Sequence, residues 1–289
     1  MKLSIVILNH NSGDFLKNCV ESIFADDIPF SFQIIIPDNA STDNSLEKVK
    51  KQWGSRLHII NNPRNGGFAY GSNIGIQNAS GEYICLINPD TIVHRGTFKN
   101  LIEFMDAHPQ VGFAGPKVLN NDGTIQLSSR RSIPSPFDAI SRALWLSKLF
   151  PASKKFAKYN LTYSDPNTTQ QVDASTGCCM VARRSMIDMI GLLDENFFLY
   201  CEDVDWFLRA KNAGWQTYYV ATALINHYHS YSEQFRKYSS VADFHRSMIY
   251  FHKKHYAEKY LPIFNWFIYT MVYTRMLVIM TIKTFKGWK

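Results

Sequence analysis

Leu3-Ser4-Ile5-Val6-Ile7-Leu8 is the stretch that decides the fold, an apolar run interrupted by a single serine. A strand with one solvated face alternates apolar and polar residues, whereas a run of this kind is typical of a strand buried on both faces of a parallel sheet. Residues 14–24 follow with apolar side chains at helical spacing. A buried strand followed directly by a helix predicts an α/β sheet.

The same alternation continues along the first third of the chain. Further strands are predicted at residues 32–36, 57–60 and 83–87, and helices at residues 44–53, with N-cap chemistry in Ser41-Thr42-Asp43, and 72–78. Asp38 and Asn88-Pro89-Asp90 each come directly after one of these strands. Ligands of open α/β sheets bind beyond the carboxyl ends of the strands, so a binding site is expected there.

Composition sets bounds without choosing a ligand. The chain has 289 residues, of which 46% are hydrophobic, and its net charge of +7 permits contact with nucleic acid, anionic lipid or phosphorylated small molecules. Its five cysteines form no C-x-x-C pair, which favours reduced thiols in the cytosol. The first apolar run is too short for a signal-peptide core.

The order of elements changes after Gly115. Residues 128–136 are basic and Pro-containing, residues 137–150 have the pattern of an amphipathic helix, and residues 163–171 are a polar loop. A flap or acceptor wall is expected at residues 128–171. Ordered structure is predicted again at residues 172–183 and in a strand at 217–220. The expected division is a catalytic domain at 1–235, with a nucleotide-sugar half at 1–115 and an acceptor half at 116–235, followed by a helical, membrane-associating region at 236–289.

The tail is apolar from residue 261 to residue 282 and is followed by lysines. Arg275 near its centre makes a spanning helix marginal, and an interfacial helix fits at least as well. A helix packed into the core of a soluble domain is the third alternative. The residues expected at headgroup level are Trp266, Tyr269, Tyr273 and Trp288.

Glu202-Asp203-Val204-Asp205 places three carboxylates in four residues within an apolar, aromatic background. Burying carboxylates is costly, and a catalytic cleft is a common reason for it. The alternative is a solvated helix face on which Arg209 pairs with Asp205. Chemically, Asp203 can act as a base, Asp38 can accept from a pyrimidine imide, and Asp90 can bind Mg²⁺ or Mn²⁺.

Taken together, these residues resemble an inverting glycosyltransferase of family 2 with the GT-A fold, and within it the rhamnosyltransferase-like group of bacterial polysaccharide assembly. The resemblance extends from residue 3 to about residue 255. The matching segments are Ser4-Ile5-Val6-Ile7-Leu8-Asn9-His10-Asn11, Pro37-Asp38-Asn39-Ala40-Ser41-Thr42-Asp43, Asn62-Pro63-Arg64-Asn65-Gly66-Gly67-Phe68, Leu86-Ile87-Asn88-Pro89-Asp90 and residues 191–214.

The resemblance implies a role for each matching residue. Asp203, with Glu202, would supply the catalytic base, and Asp90, with His227, would bind the metal. His229 is an alternative to His227, and Ser230 stands where the family usually has glycine. Asn88 replaces the first aspartate of the family's DXD motif and brings no charge. The residues expected to bind the sugar nucleotide are Asn9, Asp38, Asn39, Arg64, Gly67, Asn73, Asn88 and Asp90.

The predicted function is transfer of L-rhamnose from dTDP-rhamnose to a lipid-linked saccharide at the cytoplasmic face of the bacterial inner membrane, for O-antigen, with Mg²⁺ or Mn²⁺ and without nucleic acid as a partner. A UDP donor carrying galactofuranose, glucose or N-acetylglucosamine fits the same residues. A nucleotidyltransferase would be expected to show a phosphate-binding loop after the first strand. A catalytically silent membrane subunit is the remaining alternative.

Several of these residues also have structural explanations. Asp38 and Ser41 could serve only as turn residues, and Gly66-Gly67 could form a plain tight turn. The aromatic residues around the acidic cluster are expected to be core. Arg130 and Arg131 are either a solvated pair or a contact for a pyrophosphate-linked acceptor.

Overall fold

The computed structural model describes residues 1–143, 146–228 and 237–286. Its strands are β1 (Leu3–Ile7), β2 (Phe32–Asp38), β3 (Leu57–Asn61), β4 (Tyr83–Ile87), β5 (Thr91–Val93), β6 (Val111–Leu119), β7 (Gln170–Val172), β8 (Cys179–Arg183) and β9 (Gln216–His227). Its helices are α1 (Phe15–Phe24), α2 (Ser45–Trp53), α3 (Phe68–Gln77), α4 (Thr97–Ala107), α5 (Pro136–Ala143), α6 (Leu146–Leu149), α7 (Arg184–Ile190), α8 (Glu202–Asn212), α9 (Lys237–His255) and α10 (Pro262–Lys286).

The strands form one mixed sheet in the order β3-β2-β1-β4-β8-β6-β9-β5, and β7 pairs with β9. β3, β2, β1 and β4 are mutually parallel, whereas β8 runs antiparallel to both β4 and β6. β9 is parallel to β6 and antiparallel to β5 and β7. The parallel half brings the carboxyl ends of β1, β2 and β4 to one edge, as the sequence predicts.

Helices cover both faces of the sheet. Ile5 and Ile7 of β1 belong to a buried cluster with residues of α1, α2 and α4, whereas Val6 belongs to a second cluster with α3, α7 and α8. Successive side chains of a strand point to opposite faces, so a strand covered on both sides needs apolar residues at every position. This confirms the interpretation of the first apolar run.

Three predicted boundaries differ from the structure, and one region contains elements that were not predicted. α3 begins at Phe68 rather than at residue 72, and β9 continues seven residues beyond residue 220, to His227. α2 begins at Ser45 with Asn44 at its N-cap, because the Asp43 carboxylate bonds the Ser45 N–H in a local turn instead. Residues 91–119, for which no element was predicted, contain β5, α4 and β6.

The C-terminal helices pack against each other. Ile249 of α9 clusters with Ile268 and Val272 of α10, and His252 and Asn265 bond side chain to side chain at 2.8 Å. By length and composition, Pro262–Phe285 is apolar enough to cross a membrane, with a mean hydropathy of 1.3. Because only 17% of this window is buried, α10 does not fit the core-packed alternative. Trp288 lies outside the described residues.

Candidate active site

The ends of β1 and β2 carry a buried polar cluster. Asn9 Nδ2 donates to Asp38 Oδ1 at 2.7 Å. Ser41 donates to the same carboxylate, from its backbone N–H to Oδ2 at 3.0 Å and from its hydroxyl to Oδ1 at 2.6 Å. The Asp38 carboxylate therefore closes the turn, as expected if Asp38 and Ser41 are turn residues. A carboxylate oxygen can accept two hydrogen bonds, so Oδ2 retains capacity for a donor such as an imide.

Asn39 and Gly67 connect this cluster to the loop before α8. Asn39 Nδ2 donates to the Gly67 carbonyl at 2.9 Å, and its Oδ1 accepts from Asn62 at 2.8 Å. The Phe68 N–H donates to the Phe198 carbonyl at 2.9 Å. Gly67 has φ +93°, and a Cβ there would lie 2.2 Å from that same carbonyl oxygen. The glycine is therefore required for the close approach of two chain segments, and its contact with a nucleotide stays a prediction.

Asn73 and Arg64 have different surroundings. The Asn73 amide nitrogen donates to the Leu193 carbonyl and to Glu195 Oε1, both at 2.9 Å, and its oxygen accepts from the Leu193 N–H at 3.1 Å. Both amide hydrogens are thus used in holding α3 to the loop after α7. Arg64 is exposed, with its guanidinium 5.5 Å from the ring centroid of Tyr70. Nucleotide contacts of Asn73 and Arg64 stay predictions.

The pairing of β5 with β9 brings Asp90 next to His227. Thr91 lies opposite His227 in the sheet register, and Asp90 Oδ1 is 3.3 Å from His227 Nε2. Although burial lowers the pKa of His227, the neighbouring Cys178 and Asp90 raise it to about 10. Asp90 Oδ2 is buried and has no hydrogen-bond partner among the described residues.

Asp90 and His227 can supply part of the coordination shell of a divalent cation, and the donor's phosphates would supply the rest. Within residues 1–143, 146–228 and 237–286 no three His, Cys, Asp or Glu side chains form a metal-binding group. Mg²⁺, however, typically uses one or two carboxylates and takes its remaining ligands from phosphates and water. The unpartnered Asp90 Oδ2, with His227 beside it, suits such a cation, which would neutralise charge on the departing diphosphate. His229 and Ser230 lie outside the described residues.

The turn before α8 positions the acidic cluster at the start of that helix. Tyr200 has φ +70° and Cys201 has φ +67°. The left-handed conformation costs about 1–2 kcal/mol for a residue with a side chain, and strain of this kind concentrates at functional sites. The helix then begins directly with Glu202 and Asp203, which are both buried.

Asp203 is paired with an arginine from the segment that was expected to form the flap. Arg131 Nη2 lies 2.7 Å from Asp203 Oδ2 and also donates to the Ser175 carbonyl. A Cβ at Gly177 would stand 3.2 Å from the same carboxylate oxygen. Arg130 is 5% exposed and donates to the Ser164 carbonyl at 3.0 Å. The interpretation of the two arginines as a solvated pair is therefore wrong, because both are held inside the protein.

Glu202 lies in a less polar setting. Burial and the neighbouring Asp203 raise the pKa of Glu202 to about 8, so that its carboxyl group is mainly neutral at pH 7. Glu202 Oε2 is buried, and the described part of the chain offers it no hydrogen-bond partner. The two adjacent carboxyl groups thus differ in their surroundings.

Asp205 is fully buried and has three nitrogen-bearing partners, two of them cations. Its carboxylate lies 2.8 Å from Arg209 Nε, 2.7 Å from Lys254 Nζ and 2.7 Å from His255 Nε2. The predicted pairing of Asp205 with Arg209 is confirmed. The helix face is not solvated, however, because α9 covers it.

One cavity of about 1230 Å³ contains the catalytic candidates. Glu202, Asp203, Arg131, Asn88 and His227 all line it. Asp90 and the polar cluster of Asn9 and Asp38 at the strand ends are outside this lining. The structure therefore brings the predicted base into one cavity with His227, the neighbour of Asp90, and places the predicted nucleoside residues in a separate cluster.

A mixed sheet with this site defines a GT-A glycosyltransferase, and comparisons with known proteins agree. The family model "Glycosyl transferase family 2" matches residues 4–191, and the chain belongs to that family. It is 26% identical over 263 residues to an N-acetylglucosaminyl-diphospho-decaprenol L-rhamnosyltransferase of Mycobacterium tuberculosis, covering 86% of this chain and 83% of the relative. It is 27% identical over 232 residues to the rhamnosyltransferase WbbL of Escherichia coli, covering 78% and 82%.

Solved structures support the same fold. A mannosyltransferase of Pyrobaculum calidifontis, in complex with GDP-Man and Mn²⁺, superposes with a TM-score of 0.59 at 14% identity. The match covers 86% of this chain and 62% of that one. In several such matches the chain spans less than two thirds of the solved chain, from 43% to 66%. The expected GT-A fold and membership of family 2 are thus confirmed.

The sequence did not reveal which groups neutralise the acidic cluster. Arg131 is 72 residues from Asp203, and Lys254 is 49 residues from Asp205. The available signal for a cationic partner was the basic pair Arg130-Arg131 in the segment assigned to the flap. A charged pair in a loop is more often solvated, so the pair did not identify the partner of Asp203.

Proposed function

We propose that this protein is an inverting glycosyltransferase that moves L-rhamnose from dTDP-rhamnose to a hydroxyl of a lipid-linked saccharide. The observation that carries the proposal is a cavity that Glu202, Asp203, Asn88 and His227 line together. A transferase must hold the acceptor hydroxyl near a base and the donor diphosphate near a cation, within reach of one sugar. The names of the two bacterial relatives support rhamnose as the sugar.

In this mechanism Asp203 takes the proton of the acceptor hydroxyl. The hydroxyl oxygen bonds to the anomeric carbon while the bond from that carbon to the diphosphate oxygen breaks, and attack from the opposite face inverts the configuration. Arg131, 2.7 Å from Asp203, holds the carboxylate in orientation. Glu202, kept mainly neutral by its raised pKa, adds little negative charge beside the departing diphosphate.

The remaining site residues have proposed binding roles. Asp90 and His227 would hold Mg²⁺ or Mn²⁺, as the buried unpartnered oxygen of Asp90 suits. Asn9, Asp38 and Asn39 would lie at the nucleoside. Arg64, Gly67, Asn73 and Asn88 would complete the donor site.

The proposal includes a location and a division of the chain. The exposed apolar residues of α10 support attachment at the cytoplasmic face of the inner membrane, where a lipid-linked acceptor of O-antigen assembly would lie. Residues 1–235 would form the catalytic domain, with the acceptor half at 116–235, and residues 236–289 would associate with the membrane.

The decisive experiment measures nucleotide release from dTDP-rhamnose and a panel of UDP sugars. The protein is supplied with membranes that contain lipid-linked acceptor, and the reaction is run with Mg²⁺, with Mn²⁺ and with EDTA. We expect metal-dependent release from dTDP-rhamnose alone. Release from a UDP sugar would keep the enzyme class and replace the donor. No release from any donor would instead favour the catalytically silent subunit.

A further inference from the structure

The active-site cavity extends along the C-terminal helix, and the part that α10 lines is called its apolar end. Phe267, Met271, Thr274 and Val278 of α10 line it together with Asp203. These positions recur at intervals of four, three and four residues, so they share one face of the helix. Small-molecule sites typically measure about 300–1,000 Å³, and this cavity of about 1230 Å³ has room for more than a sugar.

α10 presents two further faces. Ile268 and Val272 are buried against α9. Trp266, Tyr273 and Leu277, spaced by seven and four residues, are 69%, 49% and 60% exposed. The cavity-lining face therefore lies between a packed face and an exposed apolar face that suits a membrane surface.

A cation is held at the apolar end of the cavity. Arg275 lines the cavity, and its Nη1 donates to His245 Nε2 at 2.9 Å. His245 Nδ1 donates in turn to the Val241 carbonyl at 2.7 Å, which fixes the ring with Nε2 as the acceptor. The guanidinium lies 5.8 Å from the ring centroid of Phe244. A guanidinium held in this way is well suited to bind phosphate.

We propose that the apolar end of the cavity binds the isoprenoid chain of the acceptor's lipid carrier, with Arg275 contacting its diphosphate. The inference rests on the proposed function, in which the acceptor is lipid-linked. Such an acceptor joins a hydroxyl, a diphosphate and an apolar chain, and the cavity offers Asp203, a guanidinium and an apolar wall in one continuous space. The chain enters from the membrane beside the exposed face of α10.

The test measures binding of farnesyl diphosphate by calorimetry, with saturating dTDP and UDP present to block the donor site. Val278 and Leu277 are neighbours with 50% and 60% exposure, but only Val278 lines the cavity. We expect Val278→Asp to weaken binding about tenfold or more, because a carboxylate would be placed beside an apolar chain and near a diphosphate. Leu277→Asp, the matched control, should change affinity less than about twofold.

Two further measurements test the parts of the ligand. Isopentenyl diphosphate, with the same head group and one isoprene unit, should bind much more weakly than farnesyl diphosphate. Arg275→Gln should weaken farnesyl diphosphate binding about fivefold or more. Thr274 also lines the cavity, so Thr274→Asp should reproduce the loss of affinity caused by Val278→Asp. A second variant keeps the test valid if Val278→Asp misfolds.

Several results would overturn the inference. One is an equal loss of farnesyl diphosphate affinity in Val278→Asp and Leu277→Asp. Another is equal affinity of the wild type for isopentenyl and farnesyl diphosphate. A third is a wild-type dimer that Val278→Asp dissociates, because a second copy of the chain would then cover this face of α10. The assay requires no donor turnover. Nucleotide release without farnesyl diphosphate binding would therefore reject this inference alone, whereas absence of release from every donor would reject the proposed function.

Discussion

The first turn of α8 carries buried carboxyl groups in two opposite settings. Asp205 contacts two cationic side chains, Arg209 of α8 and Lys254 of α9, and also the imidazole of His255 of α9. Glu202 and Asp203 lie beside a single arginine, Arg131, and Glu202 Oε2 finds no partner in the described chain. Buried charge is costly unless it is paired. The Asp205 carboxylate is thus neutralised within the chain, whereas Glu202 keeps an unused acceptor oxygen, which is expected of a carboxyl group that serves a ligand.

The comparison also separates two functions of one helix. The side chain of Asp205 joins α8 to α9 through Lys254, whose Nζ also lies 2.6 Å from Asp194. Glu202 and Asp203 instead face the cavity. α9 is therefore attached to α8 only two residues from the proposed base, and changes at Asp205 and Asp203 should have distinct consequences.

The largest expected effect is on catalysis, from Asp203→Asn. The amide can still accept a hydrogen bond from Arg131 but cannot take a proton, so we expect the transfer rate to fall about 10³- to 10⁴-fold. The free energy of unfolding should fall by less than for Asp205→Asn, because Asp203 borders the cavity and Arg131 keeps its bond to the Ser175 carbonyl. Rates are measured by nucleotide release from the donor identified in the panel.

Asp106→Asn is the matched control for that substitution. Asp106 pairs with Lys2 and accepts from the Tyr83 hydroxyl, at the amino end of β4 and away from the cavity. Its rate should stay within about twofold of wild type. An unchanged rate for Asp203→Asn would remove Asp203 from the role of base and leave Glu202 as the candidate.

The next effect is on stability, from Asp205→Asn. Removing one partner of a buried ion pair typically costs about 3–5 kcal/mol. A value near 3 kcal/mol is expected here, because Lys254 keeps Asp194 and Arg209 keeps the carbonyls of Ile190 and Leu192. The free energy of unfolding is measured in urea. A loss of activity without any loss of stability would mean that Asp205 belongs with Glu202 and Asp203.

A smaller effect should follow from Gly67→Ala, which tests what supports the turn before α8. A Cβ at Gly67 would stand 2.2 Å from the Phe198 carbonyl oxygen, whereas one at Gly123, also left-handed at φ +80°, would meet no described atom within 4 Å. Gly123→Ala thus reports the conformational cost alone. Gly67→Ala should cost about 2 kcal/mol more than the control, measured by urea unfolding. Equal costs would show that the two segments can separate freely.

Much of the parallel half was predictable, for a definite reason. β1, β2 and β4 are short, largely buried runs between turn residues and β3 is a partly buried one, and the predicted bounds of all four fall within two residues of the observed ones. Local pattern suffices where every side chain of a strand is apolar. β9 was recognised only over residues 217–220, because its second half contains Thr222, Asn226 and His227, which pair with neighbouring elements rather than fill the core.

The site was predictable in its residue types and not in its pairings. Carboxylates after strands and in an apolar helix were visible in the sequence, whereas the partners of Asp203 and Asp205 depend on contacts across 72 and 50 residues. Asn39 and Asn73 illustrate the same limit. Their motif positions suggested a ligand, but their amides hold neighbouring segments together, and only a folded chain reveals that use.

The prediction with the smallest effect at a single step of measurement, in the pH dependence of stability, tests whether Glu202 differs from Asp205 as proposed. Burial and Asp203 raise the pKa of Glu202 to about 8 from 4.5. Between these pH values the folded protein keeps a proton that the unfolded chain has lost, so stability falls as pH rises through this window. One such proton contributes at most about 1.4 kcal/mol per pH unit. Glu202→Gln removes this contribution, since an amide does not titrate.

Urea unfolding of wild type and Glu202→Gln at pH 5, 6, 7 and 8 measures the difference. We expect the wild-type free energy of unfolding to decrease relative to the variant at each step, with the difference levelling off above pH 8. Asp205 has the opposite expectation, because its cationic partners lower its pKa despite burial, and its contribution is lost only in acid. Parallel curves for wild type and Glu202→Gln would mean that Glu202 is as well neutralised as Asp205. The contrast within α8 would then rest on Asp203 alone.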